Sequence, residues 1–213
     1  LGYRLGHAPL VDAMYQDGFG CPLAEQIMGE TAETLAAQYG ISREAQDVFA
    51  AQSQNRAEAA WDAERFAEEL APVSVPGRKG ATLVTRDEHP RSGVTPEALA
   101  KLPPVFRKTG TVTAGNASGI TAPRLRRTAR TPRDRRPPVL GWLEDGVTTG
   151  VDPRIMGIGP VPAVRRLAER TGRAVSAYDL VELNEAFAAQ VLAVNRELGI
   201  PEEKMNVNGG AIA

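Results

Sequence analysis

Asn184 occupies a position from which its side-chain amide could hydrogen-bond a ligand. A short apolar run at 179–183 precedes it and suits a buried strand, and apolar residues then recur at helical spacing up to Gly199. An Asn at such a junction either caps the new helix with its side-chain oxygen or points its amide into a cleft at the carboxyl end of the strand. The residue type and its spacing leave both roles open.

The other side chains that could catalyse a reaction or bind a metal stand alone. Cys21 is the only cysteine, which rules out an intrachain disulfide, and Gly20 and Pro22 place it in a turn without a base or cation nearby in sequence. His7 has no second ligand-type residue within metal spacing. We therefore predict an inert Cys21, a solvated His7 and no metal site.

Two long helices are predicted in the first third of the chain. Apolar residues recur at helical spacing from Met28, and Gly40 suits the left-handed position that ends a helix. Ser42 then starts a second helix as its N-cap, and apolar spacing carries this helix to about residue 66. These helices precede a stretch dominated by turn signals, at 70–110.

The later elements alternate between strand and helix. In order, we predict a short strand near 81–85, a short helix near 96–101, a helix whose first turn holds Pro160 or Pro162, the strand at 179–183 and a helix from residue 185. A helix that follows a strand through a short link indicates an α/β layer.

The composition is that of a soluble globular chain. Its 213 residues could bury one good core or two small ones, and a net charge of -1 argues against a globally basic nucleic-acid binder. No apolar run reaches membrane-spanning length and no signal peptide opens the sequence, so we expect a cytoplasmic location. The sequence opens without Met and closes directly after a Gly-Gly pair, so we expect an internal fragment of a longer protein.

Four segments, in order along the chain, resemble the thiolases, which are enzymes that move acyl groups to and from coenzyme A. They are residues 28–33 (M-G-E-T-A-E), 110–119 (G-T-V-T-A-G-N-A-S-G), 184–190 (N-E-A-F-A-A-Q) and 206–213 (N-V-N-G-G-A-I-A). One such match would be weak, but four in the family's order and near its spacing identify the chain as a member.

The resemblance implies an α/β fold class, as an incomplete part of the thiolase fold, in which two similar mixed-sheet halves carry helices on both faces. Residues 1–120 would be the second part of the N-terminal half, with an inserted loop subdomain at about 70–110, and residues 150–213 the start of the C-terminal half. The implied function is an acyltransferase that condenses or cleaves acyl-CoA thioesters through a Cys-bound acyl intermediate. Coenzyme A thioesters would be substrates without a permanently bound cofactor, and the full-length protein would be a homodimer or homotetramer.

The resemblance also assigns roles to seven residues. Asn184 would be catalytic, orienting a water or its own amide toward a carbonyl oxygen that gains negative charge. The implied substrate-binding residues are Met28 in the acyl-CoA pocket, Arg91 at the nucleotide end of coenzyme A, Ala114 and Ser118 beside the pantetheine arm, Ala186 and Phe187. A guanidinium can pair with a phosphate or stack on adenine, and the Ser118 hydroxyl can hydrogen-bond an amide.

The reacting groups of the family are expected outside this chain. The attacking cysteine would lie before residue 1, because Cys21 does not fill its position, and the catalytic histidine and second cysteine would lie beyond Ala213. We therefore predict that the isolated chain has no thiolase activity. Missing strands would leave open sheet edges, so we also expect no compact two-state monomer.

A tract at 121–149 departs from the family pattern, which returns at Gly150. Residues 121–138 carry seven arginines and four prolines against one Asp, and such a segment cannot form a buried strand. It could be an arm that binds nucleic acid or another polyanion, or a stretch read in a shifted frame from a GC-rich gene. We favour the second interpretation because the tract replaces family residues with nearly unchanged spacing. The alternative function is a non-catalytic coenzyme A-binding or polyanion-binding module.

Overall fold

The fold was analysed in a computed structural model, which describes residues 5–78, 80–120 and 141–213. The α-helices of these ranges are α1 (Met28–Tyr39), α2 (Arg43–Asp62), α3 (Pro96–Leu99), α4 (Pro160–Thr171) and α5 (Ala188–Leu198). Two antiparallel two-stranded sheets pair β1 (Gly20–Cys21) with β2 (Gln26–Ile27) and β3 (Val73–Gly77) with β4 (Gly80–Val84). Shorter helical turns lie at Met14–Phe19, Pro153–Ile158, Val175–Ala177 and Glu202–Lys204. The Arg- and Pro-rich tract at 121–138 falls outside the described ranges.

Local signals set the ends of α1 and α2 largely as predicted. Gly40 follows α1 with a left-handed φ of 57°. The Ser42 hydroxyl accepts a hydrogen bond of 3.2 Å from the Ala45 main-chain N–H and so caps α2. The predicted end near residue 66 is wrong, because α2 ends at Asp62 and Glu64 then adopts a left-handed φ of 54°.

The hairpin of β3 and β4 is predicted only in part. β4 confirms the predicted strand near 81–85, and its partner β3 lies in register with Val73 opposite Val84. Periodicity does not reveal β3 because all five of its residues are exposed and one of them is a proline. The helix predicted at 96–101 is present as α3, which is shorter and ends at Leu99.

The segment before α5 is not the predicted strand. Among the described residues it pairs only at Val181, whose N–H donates to the Lys204 carbonyl at 2.9 Å and whose carbonyl accepts from the Asn206 N–H at 3.0 Å. The Asn206 side chain extends this pairing, since its Oδ1 accepts from the Leu183 N–H and its Nδ2 donates to the Leu183 carbonyl, both at 2.8 Å. A side-chain amide thus takes the place of a neighbouring strand.

Helix α5 begins at Ala188 rather than at residue 185, so Asn184 does not cap it. The N-cap position belongs to Phe187, which has an extended backbone and no side-chain cap hydrogen bond. The Ala188 N–H instead donates to the Asn116 carbonyl at 2.9 Å. The capping alternative for Asn184 is therefore excluded.

Helix α5 forms the centre of the core and packs against α1, α2 and α4. One apolar cluster joins Leu35 of α1 and Val194 of α5 to Ile158, and a second joins Phe49 of α2 to Val191 of α5. Full burial of such a side chain stabilises by about 1.5–3 kcal/mol, so these contacts fix where α1 and α5 face each other. Within the ranges described, none of the helices combines the length and apolar character needed to cross a membrane.

Candidate functional site

A small apolar cavity lies between the start of α1 and the start of α5. Its volume is about 120 Å³, and it is lined by Met28, Thr31, Ala32, Met156, Gly157, Ala186, Phe187 and Gln190. Three of the seven residues predicted for the site, Met28, Ala186 and Phe187, therefore meet in one place. We refer to this space below as the α1–α5 cavity.

Hydrogen bonds at the first turn of α1 hold Met28 at the cavity. The Glu30 carboxylate accepts from the Ile27 main-chain N–H at 3.0 Å, which satisfies one donor that precedes the helix. The Thr31 hydroxyl donates to the Met28 carbonyl at 2.7 Å. The main chain of Met28 is thus fixed, while its flexible thioether can adapt to what fills the cavity.

The glycine-rich segment runs beside the cavity residues of the α5 entry. Ala117 and Phe187 form an antiparallel bridge, and the Ser118 N–H donates to the Ala186 carbonyl at 3.0 Å. With the bond from Ala188 to Asn116, this pairing brings the main chain of 116–118 against that of 186–188. Ser118 is half-buried, so the structure places this predicted residue next to Ala186.

Two buried carboxylates position the glycine-rich segment. Glu33, 4% exposed, accepts from the main-chain N–H groups of Thr111 and Val112, each at 2.9 Å. Asp47 accepts from the Asn116 side-chain amide at 2.9 Å. Sequence reasoning missed both, although acidic residues on the apolar stripe of a helix are a signal for this role, because buried charges require partners.

Phe106 connects the start of α1 to the α5 entry. Its ring lies against Gly29, where any Cβ would overlap it. The same ring meets Phe187 edge to face, with ring centroids 6.1 Å apart and planes at 83°. The glycine of the M-G-E-T-A-E segment therefore makes room for a ring that supports a cavity residue.

Asn184 is exposed and is not among the residues that line the α1–α5 cavity. Its backbone segment is extended, and successive side chains of extended backbone point to opposite sides. Glu185 is accordingly buried at 1% exposure while Asn184 faces outward. The expectation that Asn184 and the walls at 114–118 share one cavity is not met in the described part of the chain.

Ala114 and Arg91 are also exposed. The Arg91 main-chain N–H donates to Gln54 Oε1 at 2.9 Å, which ties its loop to α2. Two residues earlier, the His89 ring lies against Gly119 so closely that a Cβ there would overlap it. The loop that carries Arg91 thus packs beside the end of the glycine-rich segment.

Three lining residues, Met156, Gly157 and Gln190, carry no role in the sequence-based prediction. Met156 and Gly157 belong to the helical turn at Pro153–Ile158, which packs against α1. Gln190 lies three residues beyond Phe187 and is 6% exposed. A glutamine among the apolar positions of α5 is a signal for this residue, because a buried amide needs a hydrogen-bond partner.

Two larger cavities lie elsewhere. One, of about 660 Å³, is lined by residues of β1 and β2 that include Cys21. The other, of about 620 Å³, contains Trp61, Asp87 and Glu182. Partial burial raises the pKa of the Glu182 carboxyl above its ordinary value, and the nearby charge of Glu185 raises this pKa further.

Family comparison gives two matches along the chain. The model described as "Thiolase, N-terminal domain" matches residues 1–122, and the model described as "Thiolase, C-terminal domain" matches residues 138–213. Most of the Arg- and Pro-rich tract falls between the two matches.

Curated relatives align over the full chain. An acetyl-CoA acetyltransferase of Pseudomonas aeruginosa is 52% identical over 216 residues, which cover 100% of this chain and 55% of that protein. An acetyl-CoA acetyltransferase of Paracoccus denitrificans is 47% identical over 215 residues, with the same shares covered. The chain thus spans about half the length of the curated relatives it matches.

Solved structures share the fold. An acetyl-CoA acetyltransferase from Syntrophomonas wolfei superposes with a TM-score of 0.86 at 37% identity, covering 99% of this chain and 55% of that one. Human mitochondrial 3-ketoacyl-CoA thiolase in complex with CoA superposes with a TM-score of 0.81 at 40% identity, covering 100% and 53%. These matches confirm the predicted fold class, α/β and an incomplete part of the fold of those proteins.

Proposed function

Because this chain belongs to the thiolase family, we propose that the α1–α5 cavity receives the acyl group of an acyl-CoA. The function proposed for the full-length protein is that of an acyltransferase that condenses or cleaves acyl-CoA thioesters through a Cys-bound acyl intermediate. Coenzyme A thioesters are its substrates in this proposal, and none of its cofactors is permanently bound.

The meeting of Met28, Ala186 and Phe187 around one apolar space is the observation that carries the proposal. The three residues come from segments 158 positions apart or more in part, yet they line a cavity whose size suits a short acyl chain. An apolar cavity of about 150 Å³ can hold benzene, so 120 Å³ suits a chain of about four or five heavy atoms. The main chain of 116–118 alongside offers small residues to the pantetheine arm. A solved relative with CoA in its name supports this ligand class.

The proposed reaction consists of two acyl transfers. A cysteine thiolate attacks the carbonyl carbon of one acyl-CoA, forming a carbon–sulfur bond and releasing coenzyme A as the leaving thiolate. A base then removes the α-proton of a second acyl-CoA, whose enolate carbon attacks the acyl-enzyme carbonyl and displaces the cysteine thiolate. Cleavage is the reverse sequence. Negative charge develops on a carbonyl oxygen in both steps, and hydrogen-bond donors in place beforehand stabilise it.

Asn184 supplies such a donor in this proposal. Its amide is exposed and therefore accessible to a ligand or to another part of a longer protein. Its Cα lies two residues before that of Ala186 on extended backbone, a spacing of about 7 Å. The amide would orient a water, or itself, toward the oxygen of an acyl group held in the cavity.

The isolated chain is proposed to be inactive. Cys21, its only cysteine, lines the 660 Å³ cavity and is not among the residues of the α1–α5 cavity. The attacking thiol is therefore assigned to the remainder of the full-length protein. Condensation of acetyl-CoA by the purified 213 residues, undiminished in Cys21→Ala, would contradict this assignment.

Location and assembly are proposed from the family resemblance. The full-length protein is proposed to be cytoplasmic and to form a homodimer or homotetramer, without a membrane or nucleic-acid partner. Light scattering on the eluted full-length protein would give the mass of the assembly. A monomer at micromolar concentration would contradict the proposed assembly.

The four methionines provide a direct test of the ligand site. Met28 and Met156 line the cavity, while Met14 is exposed and Met205 lies in the core at 2% exposure. In NMR spectra of ¹³C-methyl methionine, butyryl-CoA should shift the Met28 and Met156 signals and leave the other two unchanged. Butyrylated pantetheine and free coenzyme A serve as partial ligands.

A different pattern would favour the alternative function. If Met28 and Met156 do not respond to any acyl-CoA, the cavity is not an acyl site. Salt-sensitive binding of single-stranded DNA or polyphosphate that disappears on deletion of 122–138 would then support a polyanion-binding module.

A further inference from the structure

The side chain of Gln190 is a buried amide within the otherwise apolar α1–α5 cavity. It is 6% exposed, and its Oε1 is shielded from solvent without a hydrogen-bond partner in the part of the chain that the structure describes. Gly157 accommodates its stem, because a Cβ at that position would lie 2.9 Å from Gln190 Cγ. The amide is therefore held by packing rather than by a polar partner.

The other lining groups cannot satisfy this amide. They are thioethers, an aromatic ring, methyl groups and a glycine, apart from Thr31. The Thr31 hydroxyl already donates to the Met28 carbonyl at 2.7 Å. A buried polar group without a partner costs free energy, and it recovers that cost from any ligand that supplies one.

Building on the acyl-binding function proposed above, we infer that Gln190 makes the cavity selective for acyl chains that carry a hydroxyl group. A hydrocarbon chain of equal size fills the cavity but leaves the amide unpaired. A hydroxyl both donates and accepts, so it pairs with either end of the amide, whichever way the oxygen and nitrogen are turned. The substrate class is thus a short hydroxyacyl thioester of coenzyme A.

The test compares ligands that differ only by a hydroxyl in place of a methyl group. The pairs are 4-hydroxybutyryl-CoA with pentanoyl-CoA, and 3-hydroxybutyryl-CoA with 3-methylbutyryl-CoA, and the two hydroxyl positions sample different depths. Dissociation constants come from titration calorimetry, and the Met28 and Met156 methyl signals show where each ligand sits. The wild-type chain should bind one hydroxy thioester about five- to tenfold more tightly than its partner.

Substitution of Gln190 should remove this preference. Gln190→Leu and Gln190→Met replace the amide with apolar groups of similar volume, and Met keeps the unbranched stem. Both variants should bind the methyl ligand at least as tightly as the hydroxy ligand. Gln38→Leu, at an exposed position of α1, is the matched control and should keep the wild-type ratio.

The outcomes separate this inference from the function on which it rests. If all four ligands shift Met28 and Met156 but both pairs bind equally, the inference is overturned and the acyl site stands. An equal loss of affinity for all four ligands in both Gln190 variants would show a structural role only and would also overturn it. If none of the thioesters shifts these signals, the acyl site and the inference fall together.

Discussion

The Ser53 hydroxyl donates a hydrogen bond of 2.6 Å to Glu185 and so joins the middle of α2 to the segment that leads into α5. Glu185 also accepts from the Asn206 side-chain amide at 2.8 Å and from the Ile212 N–H at 3.2 Å. The described ranges contain no ion pair to this carboxylate. A buried charge is here balanced by neutral donors, which places Glu185 among the groups that fix the outward direction of its neighbour Asn184.

Replacing Glu185 with Gln should loosen this junction. The new NH2 group would face donors, and Asn206 cannot turn to accept because both of its ends already bond Leu183. An unmatched buried pair costs about 1–3 kcal/mol. Hydrogen exchange at Leu183 and Ile212 should accelerate about fivefold or more. Glu203→Gln, at an exposed site, should leave exchange unchanged, and equal rates in both variants would contradict the role given to Glu185.

Adding a methyl group at Gly29 should disturb the cavity through Phe106. The Cβ of Gly29→Ala would overlap the Phe106 ring, and such overpacking costs about 1–3 kcal/mol. Because that ring also contacts Phe187, the Met28 methyl signal should shift and butyryl-CoA should bind more weakly. The loss should shrink in a Phe106→Ala background. Gly146→Ala is the control, since its added Cβ meets nothing within 4 Å.

The pH dependence of the region around Glu182 should follow its raised pKa. Removal of the carboxyl from water favours the protonated form in the folded chain, and the charge of Glu185 adds to this. A pKa raised above the ordinary 4.5 means that the unfavourable charge is present above the folded pKa and relieved as the pH falls below 4.5. Carboxyl ¹³C titration should show the shift. Glu182→Gln should flatten the pH dependence of hydrogen exchange at Val181, and a Glu182 pKa equal to that of Glu203 would contradict the cause given.

Arg91 should contribute to coenzyme A binding through its charge. Exposed guanidinium groups pair with phosphates, and such contacts weaken as salt rises. We therefore expect Arg91→Ala to reduce the affinity for butyryl-CoA about two- to fivefold and to lower its salt dependence. Butyryl-pantetheine, which lacks the nucleotide, should bind both forms equally. Lys101→Ala is the control at another exposed cation, and an equal effect of both substitutions would remove the specific role of Arg91.

Sequence reasoning succeeded where a local signal determines the structure. Gly40 and Ser42 mark the boundary between α1 and α2 because left-handed backbone and side-chain capping act within a few residues. The segment at 179–183 differed because a strand depends on a partner, and here Asn206 supplies the pairing from 23 residues away. Apolar runs alone cannot show whether such a partner exists.

The same distinction applies to the site. Family motifs brought Met28, Ala186 and Phe187 forward, but Met156 and Gln190 have types that also suit an ordinary core position. Their place at the cavity depends on how the turn at Pro153–Ile158 packs against α1, which no local pattern determines. The outward position of Asn184 depends on the phase of extended backbone, and a single residue of slippage would reverse it.

Photoaffinity labelling tests most directly the central claim that the α1–α5 cavity holds the acyl group. A coenzyme A thioester of 4,4-azipentanoic acid carries its reactive carbon at the depth of a short acyl chain. Irradiation of the chain with this probe should place adducts on Met28, Met156 or Phe187, and excess butyryl-CoA should suppress them. Adducts confined to the Cys21 cavity, or labelling that butyryl-CoA does not reduce, would contradict the account.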